Sequence, residues 1–295
     1  MLKDSEQEAI AAGVSAVIPA RNEAARIDRV IASLRRDQPE LLEIIVVDDG
    51  SDDHTAQTAK AAGATTVIHH PVSRGYGAAV KSGILASKGK FVLTVDGDGQ
   101  HHSRDVAPLL HAAAKYDLLA GHRMAWFHSA AWRLPGKWML RQFGSFLVRR
   151  RIPDLNCGLR VYRREAIVPY LPLCSDMYSF TATSTLLMIS WGYRVEFIPV
   201  DVQPSSSQGR VTVRTGLDTL LLVLRIATLL DPLRVFLPIS IGAILIGIAW
   251  GTPYAIAGKG VSTGALLLIL TGLIVFVLGL LSDQIAKMRK DHHHR

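Results

Sequence analysis

A chain of 295 residues with net charge +8 has room for one sizeable α/β domain and an appendage, and its two cysteines, Cys157 and Cys174, exclude a disulfide framework or a zinc site. The positive charge alone would suit nucleic acid, but apolar runs of membrane length near the C-terminus commit the chain to a bilayer, so no nucleic-acid partner is expected.

Residues 1–8 are polar and charged, with no apolar signal core, so the N-terminal domain is expected in the cytoplasm. A first strand is predicted over 14–19, then a helix over 23–36 with Ile27, Val30, Ile31 and Leu34 on one face. A strand over 44–48 leads to a helix over 52–62, with Ser51 as N-cap and Asp52 and Asp53 complementing its dipole. A short strand over 65–69, a glycine-rich turn, a helix over 78–87 and a strand over 91–95 follow. This βαβα rhythm predicts a largely parallel, Rossmann-like sheet with helices on both faces.

After Asp117 the rhythm breaks. No acidic residue occurs before Asp154, while Arg123, Arg133, Lys137, Arg141, Arg149, Arg150 and Arg151 alternate with Trp126, Phe127, Trp132, Trp138, Phe143 and Phe146. That mixture suits an anionic headgroup layer, and interfacial helix and loop are expected up to Pro153. A helix over 181–191, a strand over 194–200, a serine-rich linker at 205–209 and an amphipathic segment over 211–230 come next. Two charge-free runs, 235–258 and 260–282, flank Lys259, and each is long enough to cross roughly 30 Å of hydrocarbon as a helix. Arg225 and Arg234 precede this hairpin and Lys287, Arg289 and Lys290 follow it, which places both its ends, and both termini, on the cytoplasmic side of the inner membrane. His292, His293 and His294 read as a solvated tail. The expected division is a catalytic domain over 1–210, a juxtamembrane segment over 211–232 and a transmembrane hairpin over 233–290.

The chemistry concentrates at strand ends. Asp96-Gly97-Asp98-Gly99-Gln100 follows a buried-strand pattern, the place where an α/β sheet presents ligands for a hard cation. Asp98 and Gln100 offer oxygens for Mg2+ or Mn2+, and Asp96 suits either the metal or a ribose hydroxyl. A second acidic turn, Asp48-Asp49-Gly50-Ser51, leaves Asp49 to accept from a base imide or amide N–H. Pro19-Ala20-Arg21-Asn22-Glu23 ends the first strand at a further site for nucleotide contacts. Arg74-Gly75-Tyr76-Gly77-Ala78-Ala79 lacks the spacing of a P-loop or dinucleotide fingerprint, but its glycines allow close approach to a diphosphate, with Arg74 and Lys81 as counter-charges. His101 and His102 read as a loop pair.

Val-Ile-Pro-Ala-Arg-Asn-Glu at 17–23, Val-Val-Asp-Asp-Gly-Ser at 46–51, Arg-Gly-Tyr-Gly-Ala-Ala at 74–79, Asp-Gly-Asp-Gly-Gln-His at 96–101 and Asn-Cys-Gly-Leu-Arg at 156–160 occur in the order seen in GT-A-fold inverting glycosyltransferases of family 2. The chain most resembles the dolichol-phosphate-mannose-synthase-like branch, which glycosylates polyprenyl phosphates. The resemblance implies that Pro19, Arg21, Glu23 and Asp49 line the nucleotide pocket, that Asp96 contacts nucleotide or metal, and that Asp98 with Gln100 holds Mg2+ or Mn2+. Leu159 stands where that branch carries Phe before Arg, so Arg160 is the implied phosphate-binding arginine, with Arg210 and Arg214 as further acceptor-phosphate candidates and Asp154 as a group orienting acceptor or sugar. The Gln-x-x-Arg-Trp signature of processive synthases is absent, which implies transfer of one sugar, from a UDP- or GDP-linked donor, per acceptor. A phosphate monoester is already largely dianionic near neutral pH, so a dedicated base is optional. Competing expectations are a glycosyltransferase acting on diacylglycerol and a non-catalytic nucleotide-sugar-binding subunit; a homo-oligomer is compatible with the sequence.

Overall fold

The computed structural model describes residues 13–101, 103–123, 134–201 and 224–293. The chain divides into two compact units, residues 1–142 with 150–212 and residues 143–149 with 213–295.

The first unit is built on seven strands: β1 (Val14–Ala20), β2 (Glu43–Asp48), β3 (Thr66–His69), β4 (Phe91–Thr94), β5 (Leu118–Arg123), β6 (Arg160–Arg163) and β7 (Val195–Val200). They lie in the order β3-β2-β1-β4-β6-β5-β7, with β6 antiparallel to both its neighbours and every other pair parallel. The parallel half follows from Val- and Ile-rich segments buried on both faces. The helices are α1 (Ile27–Asp37), α2 (Thr55–Ala61), α3 (Tyr76–Ala86), α4 (Val106–Ala112), α5 (Leu134–Val148), the single turn α6 (Arg164–Ile167) and α7 (Phe180–Ser190).

Alternation along β1 divides the core. Ala16 and Ile18 pack with Ile27, Ile31 and Leu34 of α1 and Leu109 of α4, whereas Val17 packs with Val80 and Ile84 of α3 and Phe180 of α7. Helix α3 lies close on β1 because Gly83 has no side chain; a Cβ there would overlap the Val17 methyls.

Three expectations change. Residues 118–123 form a sheet strand rather than the start of an interfacial region, and the paired strand β6 was not anticipated at all. Helix α2 begins at Thr55 instead of 52. Ser51 is not its N-cap: the Ser51 hydroxyl bonds the Asp48 carboxylate, and His54 precedes the helix without a side-chain cap.

The second unit contains α8 (Pro232–Ile256) and α9 (Thr263–His293). Residues 232–256 and 263–288 have mean hydropathy 2.0 and 2.8 and are long enough to cross a membrane. Asp231 caps α8 by accepting from the Arg234 N–H at 3.3 Å. The two helices meet through small residues: Gly272 lies against Ser240 and Ile244, and Gly247 and Gly251 lie against Ala265. Large apolar side chains such as Leu245, Ile246, Leu267 and Ile274 face outward. The last turn of α5 belongs to this unit, where the Arg234 guanidinium donates to the Leu147 carbonyl at 3.1 Å and lies 4.2 Å from the centre of the Phe146 ring. Most of the expected juxtamembrane segment, 211–223, lies outside the described residues, as do Arg210 and Arg214.

Candidate active site

A cleft of about 290 Å³ opens where β1, β2 and β4 end. Pro19, Arg21 and Glu23 line it from the loop after β1, Asp49 from the end of β2, and Asp96 and Asp98 from the end of β4. Ser73, Gly75 and Tyr76, with Asn156, Met177, Tyr178 and Thr181, complete its wall.

The loops after β1 and β2 are cross-linked. Asn22 donates its N–H to the Ser51 hydroxyl at 2.9 Å and accepts the Asp52 N–H on its side chain at 2.9 Å. Glu23 N–H reaches the Thr55 hydroxyl at 2.9 Å, and Ala24 N–H reaches Asp53 at 3.1 Å. Asn22 sits at φ 57°, a left-handed conformation that asparagine tolerates better than most residues. Asp53 does both: one oxygen ties these loops together, and the other, as expected of a helix-start acid, accepts the Thr55 N–H at 2.9 Å and the Thr55 hydroxyl at the start of α2. Burial pushes the Glu23 carboxyl above its usual value, with the nearby Asp98 and Asp53 charges adding to that and Arg26 opposing it.

Asp49 does not present a free carboxylate. One oxygen accepts from His70 Nδ1 at 2.7 Å and Arg74 N–H at 2.9 Å; the other accepts from the Ser73 hydroxyl at 2.8 Å and Gly75 N–H at 2.9 Å. Burial alone would raise its pKa, but these four donors together hold it below the usual value. They occupy its lone pairs, and Asp49, itself part of the cleft lining, folds residues 73–75 onto the cleft. Gly75, at φ 105°, makes that fold possible.

Lys81 is also redirected. Its ammonium donates to the Cys174 carbonyl and to Asp176, both at 2.6 Å, and it does not line the cleft. It pins residues 174–176 beside α3, next to Met177 and the strongly exposed Tyr178, whose ring stacks on Tyr76 at 5.8 Å.

Asp96 is gripped from two sides. The Tyr76 hydroxyl donates to one oxygen at 2.9 Å, and His101 Nε2 lies 3.5 Å from the other. Burial raises its pKa, yet His101 and Tyr76, with the charge of Arg123, bring it below the usual value. Asp98 goes the other way, raised by burial and then by the Asp96 charge. Gln100 donates its backbone N–H to Asp98 at 3.1 Å and its side-chain amide to the other oxygen, so it braces Asp98 and does not itself line the cleft. His101, read as half of a loop pair, is buried next to Asp96, and His102 lies outside the described residues.

Asp154 forms a two-pronged ion pair with Arg123 at 2.7 and 3.1 Å and accepts the Asn156 N–H at 2.8 Å. The neighbouring Cys157 thiol is buried, and its pKa is pushed up to about 12. Arg160 departs furthest from expectation: it is fully buried. Its guanidinium donates to the carbonyls of Cys157 (2.7 Å), Thr181 (2.9 Å) and Leu155 (2.9 Å) and to the Thr185 hydroxyl. With its donors spent on the protein, it has no face for an acceptor phosphate.

Sequence reasoning did not anticipate cleft roles for Tyr76, Ser73, Asn156, Met177, Tyr178 and Thr181. Tyr76 and Asn156 fall inside motifs quoted for their glycines and arginine, so position was available as a signal. Nothing in the residues around Met177 and Tyr178 marks them as cleft wall.

The glycosyl transferase family 2 model matches residues 15–170, and the GtrB C-terminal hairpin model matches residues 231–288. The undecaprenyl-phosphate 4-deoxy-4-formamido-L-arabinose transferase of Pseudomonas aeruginosa (strain LESB58) is 34% identical over 182 residues, 57% of this chain and 51% of that protein. The dolichyl-phosphate hexose transferase of Haloferax volcanii is 31% identical over 157 residues, 52% of this chain and 68% of that protein. The chain thus spans about half the length of the arabinose transferase. Glucosyl-3-phosphoglycerate synthase from Mycobacterium tuberculosis, crystallised with Mn2+, UDP and phosphoglyceric acid, superposes with TM-score 0.62 over 77% of this chain and 82% of that one at 19% identity, which shows a shared GT-A fold. Matched by the family model over more than half of its length, the chain is an enzyme of glycosyl transferase family 2.

Proposed function

We propose that the chain transfers a single sugar from a UDP- or GDP-linked donor to a polyprenyl phosphate, with inversion and with Mg2+ or Mn2+, at the cytoplasmic face of the inner membrane with both termini inside. The observation that carries this reading is the pairing of Asp96 and Asp98 in one cleft with Pro19, Arg21 and Glu23, in a chain that also ends in a GtrB-type hairpin. The relatives support the acceptor class: one is named for undecaprenyl phosphate and the other for dolichyl phosphate. The structural neighbour supports the metal, since it binds Mn2+ with UDP.

The donor set fits a divalent ion. Burial and then the Asp96 charge push the Asp98 pKa up, and a hard cation held by these carboxylates relieves that repulsion. Such an ion, when bound, supplies Lewis-acid stabilisation to the departing nucleoside diphosphate. Tyr76 and His101 hold Asp96, Gln100 holds Asp98, and the cross-linked loops at 22–24 and 51–55 present a preorganised nucleotide edge. Because the acceptor phosphate arrives largely ionised, the residues around it need only balance charge and align it. Arg210 and Arg214 remain as the acceptor-phosphate candidates, while Arg123, paired with Asp154, adds positive charge near Asp96.

The test is a transfer assay with detergent-solubilised protein, polyprenyl phosphate, Mg2+ or Mn2+, and a panel of labelled UDP- and GDP-sugars. A metal-dependent, acid-labile glycolipid from one donor is the expected result. Donor binding or hydrolysis without lipid product would move the acceptor to another lipid, such as diacylglycerol, and no donor interaction would favour a non-catalytic subunit.

A further inference from the structure

The buried arginine of the Asn-Cys-Gly-Leu-Arg segment has a task that phosphate binding does not describe. Its four hydrogen bonds join two stretches of chain: the carbonyls of Leu155 and Cys157 on the loop entering β6, and Thr181 and Thr185 on the first turns of α7. Between the bonded carbonyls lies Asn156, and both Asn156 and Thr181 line the cleft. The loop is fastened again from β4, where the Thr94 hydroxyl donates to the Gly158 carbonyl at 2.8 Å. Thr94 pairs with Arg160 across the β4–β6 ladder, so the loop is held from the sheet, from α7 and by the guanidinium.

What this fastening presents to the cleft is a glycine. A Cβ built on Gly158 would overlap both carboxylate oxygens of Asp96 and its Cγ. The Asp96 carboxylate therefore rests against bare backbone, in the space a side chain would fill. Gly158 is not among the glycines at positive φ, so space rather than backbone conformation is what excludes other residues there. We propose that Arg160 and Gly158 are positioning residues for Asp96: Arg160 fixes the loop, and Gly158 forms the wall that turns the Asp96 carboxylate so that Tyr76 and His101 can each hold one oxygen. Neither residue lines the cleft. This rests on the reading of Asp96 as a donor- or metal-binding group, and it adds where that group's orientation comes from.

A double-mutant cycle on the full-length, detergent-solubilised chain tests the wall without metal or substrate. Tyr76→Phe removes the hydroxyl that bonds Asp96 and should lower Tm by about 2–4 °C in the otherwise wild-type chain. In the Gly158→Ala background Asp96 is displaced and the bond already lost, so the same substitution should change Tm by less than about 1 °C. Equal shifts in both backgrounds would overturn the proposal. The functional arm is UDP binding with and without Mn2+. Gly158→Ala should weaken the Mn2+-dependent part at least ten-fold, and Thr185→Val, which removes one acceptor of Arg160, should move it in the same direction by a smaller factor. Wild-type Mn2+-dependent binding in Gly158→Ala would sink the wall, and an unaltered Thr185→Val would sink the part assigned to Arg160. Should Gly158→Ala fail to fold, the milder Thr185→Val carries the cycle with Tyr76→Phe: a Tyr76→Phe shift smaller than in the wild-type chain is expected, and an equal shift would overturn the proposal. A wild-type chain whose UDP binding ignores Mn2+ would count against the metal reading alone, because the Tm cycle still decides the wall.

Discussion

Replacing Asp154 by Asn isolates the charge of one carboxylate at nearly constant volume. Asp154 is 12% exposed and Arg123 31% exposed, and they meet through two hydrogen bonds. Opposite charges about 4 Å apart interact by about 4 kcal/mol at an effective dielectric near 20. Solvent at the partly open guanidinium takes up a share of this, and about 2–3 kcal/mol of lost stability is the expected net at pH 7. For a domain of this size that is a fall in Tm of about 5–10 °C. The pH dependence gives the stricter test. Burial raises the Asp154 pKa, but Arg123 and the Asn156 N–H more than offset it, so the folded value lies below the unfolded one. The ion pair's contribution is then complete above the unfolded pKa and lost as pH falls through the folded value, so wild type and Asp154→Asn should converge below about pH 4. Thermal unfolding in detergent across a pH series measures this. A variant within about 1 °C of wild type at neutral pH, or a gap that does not narrow in acid, would refute the reasoning.

Asp98→Ala should cut sugar transfer by about two orders of magnitude or more while leaving membrane insertion intact, as transfer assays and membrane fractionation will report; near-normal transfer would remove Asp98 from the site. A chain truncated after Asp231 should keep donor binding yet lose efficient use of long-chain acceptors, and equal rates on long and short lipids would deny the hairpin a part in acceptor use. In the hairpin, Gly272→Leu drives a side chain into Ser240 and Ile244, and the expected cost is about 1–3 kcal/mol in unfolding experiments. Lys81→Met frees residues 174–176 from α3, so KM should rise with donor-free stability little changed; an unaltered KM would mean that the pinned segment does not shape the cleft.

Strands β1, β2 and β4, helix α1 and the two apolar helices were legible in the sequence, because each is specified by a local pattern: β-branched runs buried on both faces, a 3.6-residue apolar stripe, and charge-free membrane-length segments. The cleft's location was legible for the same reason, since short acidic and glycine-bearing turns mark strand ends. Strands β5 and β6 were not. Leu118-Leu119-Ala120 carries no strand preference of its own, and Arg160 looks like a surface cation until Thr181 and Thr185 are brought beside it. The roles of individual site residues were likewise decided by partners remote in the chain. Asp49 is filled by donors from residues 70–75, Lys81 is claimed by Cys174 and Asp176, and Asp96 leans on Gly158. A sequence shows which groups can ionise and where a strand ends. Whether a carboxylate or a guanidinium remains free for a ligand depends on lone pairs and N–H groups that only the folded chain assigns.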